Sequence, residues 1–333
     1  MKKKIYFIEK SIDFNSNDLN SNKIAGSEKT LINITNELSL YKNLEIKVFN
    51  QTSKEIKFDN ISWLSLNNIN NYEVPDYLIS MSDANLLSCI NCSKNFLWSH
   101  SVQPIEKFIR KNQLLPFIKN KPIMLLESKY HYNTRSFFTS FFGKKIIKLA
   151  ADYEFINENV DMNFLPKKKA IFTTRSDRNL DFLLSAWEKI SQKSLNSELY
   201  ISPPYQLSEK HIKIGVKLRV KSNKNKLIEE LKNSRVMLNP GHKGEVFCLA
   251  AIEAKEMCLP IVTMGYGSLS ERVEHGVTGY IANNKNQFID YSLDILNNDE
   301  TYLKFKNNLF NKRGDRTYKN VAMDFVKILD LND

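Results

Sequence analysis

Long hydrophobic runs are missing from this 333-residue sequence. None approaches the roughly 18 apolar residues that a bilayer-spanning helix needs, which excludes an integral helical membrane protein. Met1 to Glu9 offers no signal-peptide core, because Glu9, Lys10 and Asp13 interrupt the apolar stretch within a few residues. A cytoplasmic location is therefore expected. Cysteine is scarce: Cys89, Cys92, Cys248 and Cys258 suit reduced thiols rather than a disulfide framework. Cys89 and Cys92 have the spacing of half a zinc site, but no second C-x-x-C and no H-x-x-x-H accompanies them. Internal repeats and long low-complexity linkers are absent as well.

Hydrophobic residues make up 42% of the chain, enough for two cores and two domains of ordinary size. The formal charge is +11, and it is unevenly spread. Residues 102–148 hold ten Lys and Arg against Glu106 and Glu127 only, with Phe137, Phe138, Phe141 and Phe142 between the cations. Basic side chains interleaved with aromatics suit an anionic membrane surface, where each cation contributes about 1 kcal/mol. Nucleic acid would gain from the same charges through counterion release. A solvated basic face over an ordinary aromatic core is the bland alternative.

Strand and helix patterns alternate along the chain. Lys4–Ile8 predicts a buried first strand, and Leu31, Ile34 and Leu38 recur at helical spacing after Gly26. Leu44–Phe49, Tyr77–Ser80 and Phe96–Trp98 read as further strands, the last leading straight to His100. A histidine just past the carboxyl end of a strand lies where open α/β sheets place ligands. The polar stretch near 155–168 suggests a domain junction. Beyond it Ala170–Thr174 starts a second series of strands, with Arg175 and Arg178 at the turn into a helix over 180–190. Guanidinium forks suit a phosphate there. The expected architecture is α/β, with two doubly wound domains facing a central cleft.

The richest stretch runs from Asn239 to Ala254. Residues 235–239 predict a short buried strand, Pro240, Gly241 and Gly244 a turn, and the alanine-rich segment from Phe247 to Met257 a helix. Glu245 would precede that helix and Glu253 project from its second turn. The first-turn amides and the helix dipole favour an anion such as a diphosphate. An anion that also offers hydroxyls to two carboxylates suggests a nucleotide sugar.

Glu245 and Glu253 resemble the E-x7-E signature of retaining glycosyltransferases of family 4, which have the GT-B fold. Glu245-Val-Phe247, Glu253-Ala254, Leu259-Pro-Ile-Val262, Ser270-Glu271 and Gly276-Val-Thr-Gly279 follow in that family's order and spacing. Phe172–Asp181 resembles its strand-and-turn segment, and Ala25–Lys29 its N-terminal glycine loop. The likeness implies an N-terminal Rossmann-like acceptor domain over 1–160, a donor domain over 161–310, and a C-terminal helix in 311–333 packing back toward the first. It also implies roles. Glu253 would accept from the donor ribose, and Glu245 would lie beside the donor sugar. The amides of Val246, Phe247, Cys248 and Leu249 would hold the sugar or diphosphate. Arg178, with Arg175 as a second clamp, would neutralise the leaving diphosphate. Gly26 would admit the donor or acceptor, and His100 would contact the transferred sugar.

Three positions depart from the pattern: Cys248 and Asn179 stand where glycine is usual, and only one glycine occupies residues 25–27. Cys248 is expected to put a side chain near the donor loop. The reading is a metal-independent hexosyltransferase without a cofactor, using a nucleotide sugar, a UDP-sugar by preference. Its acceptor would be a lipid, a lipid-linked glycan or a cell-envelope glycan, and the enzyme would be peripheral on the inner face of the membrane. Lys144, Lys145, Phe141 and Phe142 are the membrane or acceptor candidates. A sugar-nucleotide epimerase of the same fold and a basic nucleic-acid-binding protein are the competing readings.

Overall fold

The computed structural model describes residues 2–21, 23–220 and 223–331. Two compact units divide the chain: Met1–Leu149 with Tyr318–Asp333, and Ala150–Thr317. The first division falls earlier than the sequence junction at 160, and the second later than 310.

Unit 1 is built on eight strands: β1 (Lys3–Ile8), β2 (Leu44–Asn50), β3 (Ile56–Phe58), β4 (Ile61–Ser65), β5 (Tyr77–Met81), β6 (Asn95–Trp98), β7 (Ile123–Leu126) and β8 (Lys144–Ile146). Their order is β3-β4-β2-β1-β5-β6-β7-β8, parallel except for β3, which runs antiparallel to β4. β1 sits in the middle because Ile5 to Ile8 are fully buried and can face protein on both sides. Tyr6 and Ile8 join one core with Phe49 and Leu78. Phe7 points to the opposite face. There the helices Gly26–Ser39 and Tyr318–Ile328 pack on each other. The Phe325 ring stands edge-on to Phe7 and Trp98, at 6.1 and 5.1 Å between centroids. Burying an aromatic ring this fully contributes roughly 2–3 kcal/mol, which fixes the returning helix to unit 1.

Unit 2 carries β9 (Lys169–Phe172), β10 (Glu198–Ile201), β11 (Val216–Leu218), β12 (Val236–Leu238), β13 (Ile261–Thr263) and β14 (Gly279–Ile281), all parallel, in the order β11-β10-β9-β12-β13-β14. Ala170, Phe172, Val236 and Leu238 enter one core, and Ile171 and Met237 the other. This is the period-two alternation of a sheet covered on both faces. The helix Leu180–Lys193 buries Leu183, Leu184, Trp187 and Ile190, and the Trp187 indole donates to the Ile214 carbonyl at 2.9 Å. β9 and β12 are neighbours, yet the chain leaves them toward opposite edges. Their carboxyl ends therefore flank the topological switch point, where open α/β sheets hold ligands.

Two expectations need correction. The helix predicted from Phe247 starts at Leu249, because Cys248 before it adopts φ +64° in the left-handed region. The segment from Leu269 to His275, which its sequence predicts as a helix, instead holds the end of a short 3-10 turn, Gly267–Glu271, entered through Gly267 at φ +68°. The cysteines are all free thiols. Among the described residues no helix is long and apolar enough to cross a membrane.

Candidate functional site

The loops leaving β9 and β12 bring the predicted donor residues of unit 2 together. Arg178 closes the first loop. Its Nη1 lies 3.0 Å from His242 Nδ1, and its Nε 3.7 Å from the Glu245 carboxylate. The Gly244 amide donates to the same His242 nitrogen at 2.9 Å. Two donors aimed at one nitrogen leave it no room for a proton of its own, so Nδ1 is the acceptor and Nε2 carries the hydrogen. The imidazole thus acts as a strut between the arginine and the turn.

Glycines permit this closeness. A Cβ on Gly244 would meet Arg178 Nη1 at 2.7 Å and His242 Nδ1 at 3.0 Å. One on Gly267 would meet the Glu245 carbonyl oxygen at 2.6 Å. The Ser268 amide donates to that carbonyl at 2.9 Å, so the 3-10 turn clips the Glu245 backbone in place.

Both unit 2 positions where glycine is usual have positive φ: Asn179 at +61° and Cys248 at +64°. Asn is the residue that tolerates this region best after glycine. Here its Nδ2 also donates to the Gly241 carbonyl, tying the β9 loop to the β12 loop. Cys248 differs from expectation. Its side chain does not sit over the donor loop but turns into the core beside Met237 and Ala251, and its sulfur accepts from Asn239 Nδ2 at 3.6 Å. Burial raises its thiol pKa far above the usual range, with the nearby Glu245 charge adding to the effect, so it is not a nucleophile at neutral pH.

The helix Leu249–Glu256 follows, carrying half-buried Glu253 on its second turn. Val246 and Phe247 are buried. Arg272 donates from Nε to the Phe247 carbonyl at 2.9 Å and lies 4.0 Å from its ring centroid, holding the loop just before the helix. Arg175 is placed differently from Arg178. It is exposed and paired with Asp177 at 2.9 Å. At the end of β9 the Thr173 and Thr174 hydroxyls are buried and have no hydrogen-bond partner among the described residues.

His100 and Gly26 belong to unit 1. Gly26 is the first residue of its helix, whose start is closed by Glu28 accepting from the Ala25 amide at 3.2 Å. His100 follows β6. Its Nδ1 lies 2.5 Å from the Glu127 carboxylate, and its Nε2 is buried without a partner among the described residues. A carboxylate only accepts, so Nδ1 carries the proton. Glu127 sits just past β7 and is 3% exposed. Phe141 is exposed, Phe142 packs on Phe117, and Lys144 and Lys145 lie on β8, an edge of the sheet.

The sequence reading missed His242, Glu127 and Arg272. The signal for His242 was a histidine inside a Pro-Gly-His-Lys-Gly turn. For Glu127 it was an acid ending an apolar run of four.

Residues 162–312 match the family model for glycosyl transferases group 1. The matched segment lies within unit 2 and contains Arg178, Glu245 and Glu253. Solved structures show that the whole chain has the GT-B fold. Sucrose-phosphate synthase from Thermosynechococcus elongatus superposes with a TM-score of 0.74 over 99% of both chains at 12% identity. HepE from Anabaena, in complex with UDP-glucose, gives 0.68 over 98% of this chain and 99% of that one at 13% identity. The pneumococcal O-GlcNAc transferase GtfA, with UDP and GlcNAc, gives 0.59 over 84% of this chain and 63% of that one at 13% identity. No curated protein matches this chain in sequence.

Proposed function

We propose that this chain is a retaining hexosyltransferase that takes a UDP-sugar and glycosylates a lipid, a lipid-linked glycan or a cell-envelope glycan. The observation that carries the reading is the Arg178–His242–Glu245 arrangement at the switch point of unit 2, beside the start of the Glu253 helix. An arginine fixed by two partners is preorganised for negative charge, and charge on a leaving diphosphate is what glycosyl transfer must stabilise. A single such donor is worth about 3 kcal/mol in the transition state. Glu253 binds the ribose hydroxyls, and Glu245 positions both Arg178 and the sugar.

In the reaction the anomeric C–O bond to the diphosphate breaks and a new bond forms to the acceptor oxygen on the same face. The acceptor proton passes to the leaving phosphate. His100, which the family resemblance assigns to the transferred sugar, is fixed by Glu127. The donor choice is supported by the UDP-glucose in HepE and the UDP in GtfA. The acceptor choice rests on the basic aromatic stretch of unit 1, which also supports peripheral attachment to the cytoplasmic face of a membrane.

Thermal-shift measurements with UDP-, GDP- and ADP-sugars test the donor, and mass analysis of products formed on lipid extracts tests the acceptor. Stabilisation by UDP-sugars that disappears in Glu253→Ala is expected. Indifference of the wild type to every nucleotide sugar would refute the reading.

A further inference from the structure

Arg135, in the basic stretch of unit 1, is a buried cation with no counter-ion among the described residues. It caps the short helix Lys129–Thr134 and is 6% exposed. Nη2 makes long contacts, 3.4 Å to Gln103 Oε1 and 3.5 Å to the Thr139 carbonyl, and the guanidinium lies 5.2 Å from the Phe108 ring centroid. Nε and Nη1 have no hydrogen-bond partner, and no carboxylate pairs with Arg135, among the described residues. Burial lowers its pKa to about 10, which still leaves it charged at neutral pH. A buried charge with empty donors is unfavourable unless a ligand fills them.

Arg135 borders two hollows. One, of about 240 Å³, is bordered by Gln103, His131 and Thr134, with the Glu106 carboxylate on its rim. The other, of about 610 Å³, is lined by Tyr132, Phe137, Phe142, Lys144 and Lys145 together with Arg135, and no carboxylate lines it. Lys144 is held there by the Tyr132 carbonyl at 2.8 Å and lies 4.0 Å from the Tyr132 ring centroid. Beside the larger hollow, Phe137, Phe138 and Phe141 form an edge-to-face cluster in which each ring is more than 60% exposed.

We infer that the larger hollow binds the phosphate of an acceptor that bears an apolar chain, with Arg135, Lys144 and Lys145 on the phosphate and the exposed phenylalanines along the chain. Three cations with no acid suit a phosphate, and the Arg135 guanidinium keeps hydrogen-bonding capacity at Nε and Nη1. The exposed rings supply the apolar contact that a free phosphate would not need. The inference rests on the acceptor role proposed for unit 1. It is separable from the donor chemistry, because UDP binding reads unit 2.

The test uses the full chain at fixed ionic strength. Co-sedimentation compares phosphatidylcholine vesicles carrying phosphatidic acid with vesicles carrying phosphatidylserine at equal charge, while calorimetry uses glycerol 3-phosphate, inorganic phosphate and UDP. Preference for phosphatidic acid is expected, with competition by glycerol 3-phosphate. Arg135→Gln is expected to weaken phosphate binding by at least about tenfold and leave UDP binding unchanged. If Arg135→Gln does not fold, Lys145→Gln, an exposed residue of the same hollow, reads the same loss. Equal binding of phosphatidic acid by wild type and variant overturns the inference, as does equal sedimentation with both anionic lipids. Arg135-dependent binding of inorganic phosphate without vesicle binding assigns the site to a soluble phosphate and refutes the apolar chain. Retained phosphate binding with lost UDP binding would count against the transferase reading alone.

Discussion

Gly244→Ala should impair the proposed glycosyl transfer through the contact its added methyl group makes with Arg178. Gly244 does not use a positive φ, so alanine fits the backbone, and the lost chain freedom alone would stabilise the fold by about 0.4–1 kcal/mol. The new methyl group would meet Arg178 Nη1 at 2.7 Å. Ordinary contact begins near 3.5 Å, so the guanidinium must retreat by roughly 0.8 Å. That retreat strains its 3.0 Å contact with His242 and its 3.7 Å approach to Glu245. A displacement on the order of 1 Å at a positioning group can cost about 100-fold in rate. We expect turnover to fall by roughly 10- to 100-fold, with melting temperature unchanged or slightly raised. UDP release from a UDP-sugar and calorimetric UDP affinity measure the effect, and Arg178→Ala sets its ceiling at about 100- to 1,000-fold. If Gly244→Ala stays within about twofold of wild type while Arg178→Ala loses activity, the displacement argument is wrong. If both stay active, Arg178 does not stabilise the diphosphate.

Glu253→Ala should abolish measurable UDP-sugar binding in calorimetry while circular dichroism shows an intact fold. Gly267→Ala should destabilise by more than about 2 kcal/mol in urea denaturation, because φ is +68° and the new atom would press on the Glu245 backbone. Glu127→Gln should lower turnover by about tenfold or more through His100 orientation, with donor KM near wild type; a raised KM and unchanged turnover would contradict this. His131 has its pKa pushed down to about 3, first by burial and then by Arg135 and His100. The unfolded chain therefore binds a proton that the folded chain refuses. His131 contributes stability that is complete above about pH 6.5 and is lost as the pH falls toward 3. His131→Leu should flatten the pH dependence of unfolding free energy across that window, and an unchanged slope would refute the assignment.

Much of unit 2 was legible because its strands are short apolar runs bounded by Gly, Pro and Asn, and because Glu245, Glu253 and Arg178 lie at strand-to-helix turns. The order of the strands was not legible, since it depends on which neighbours pair. Yet that order puts the β9 and β12 loops side by side. Unit 1 was harder to read. β8 begins with two lysines, which read as membrane or acceptor contacts rather than as a strand, although charge is what edge strands commonly carry. Glu127 was hidden because β7 went unrecognised. Cys248 was misread for a different reason: its identity signalled an added side chain, whereas its backbone angle turns that side chain inward.

The helix Tyr318–Ile328 has a consequence for biogenesis. In chain order, unit 2 is an uninterrupted segment, whereas unit 1 is split around it. Phe7 and Trp98 await Phe325, a partner that leaves the ribosome only after all of unit 2 has been made. During synthesis the first unit must persist with that apolar face uncovered, in the form most open to aggregation or chaperone capture. Unit 1 becomes contiguous only if its last helix is joined ahead of β1 or directly after Leu149.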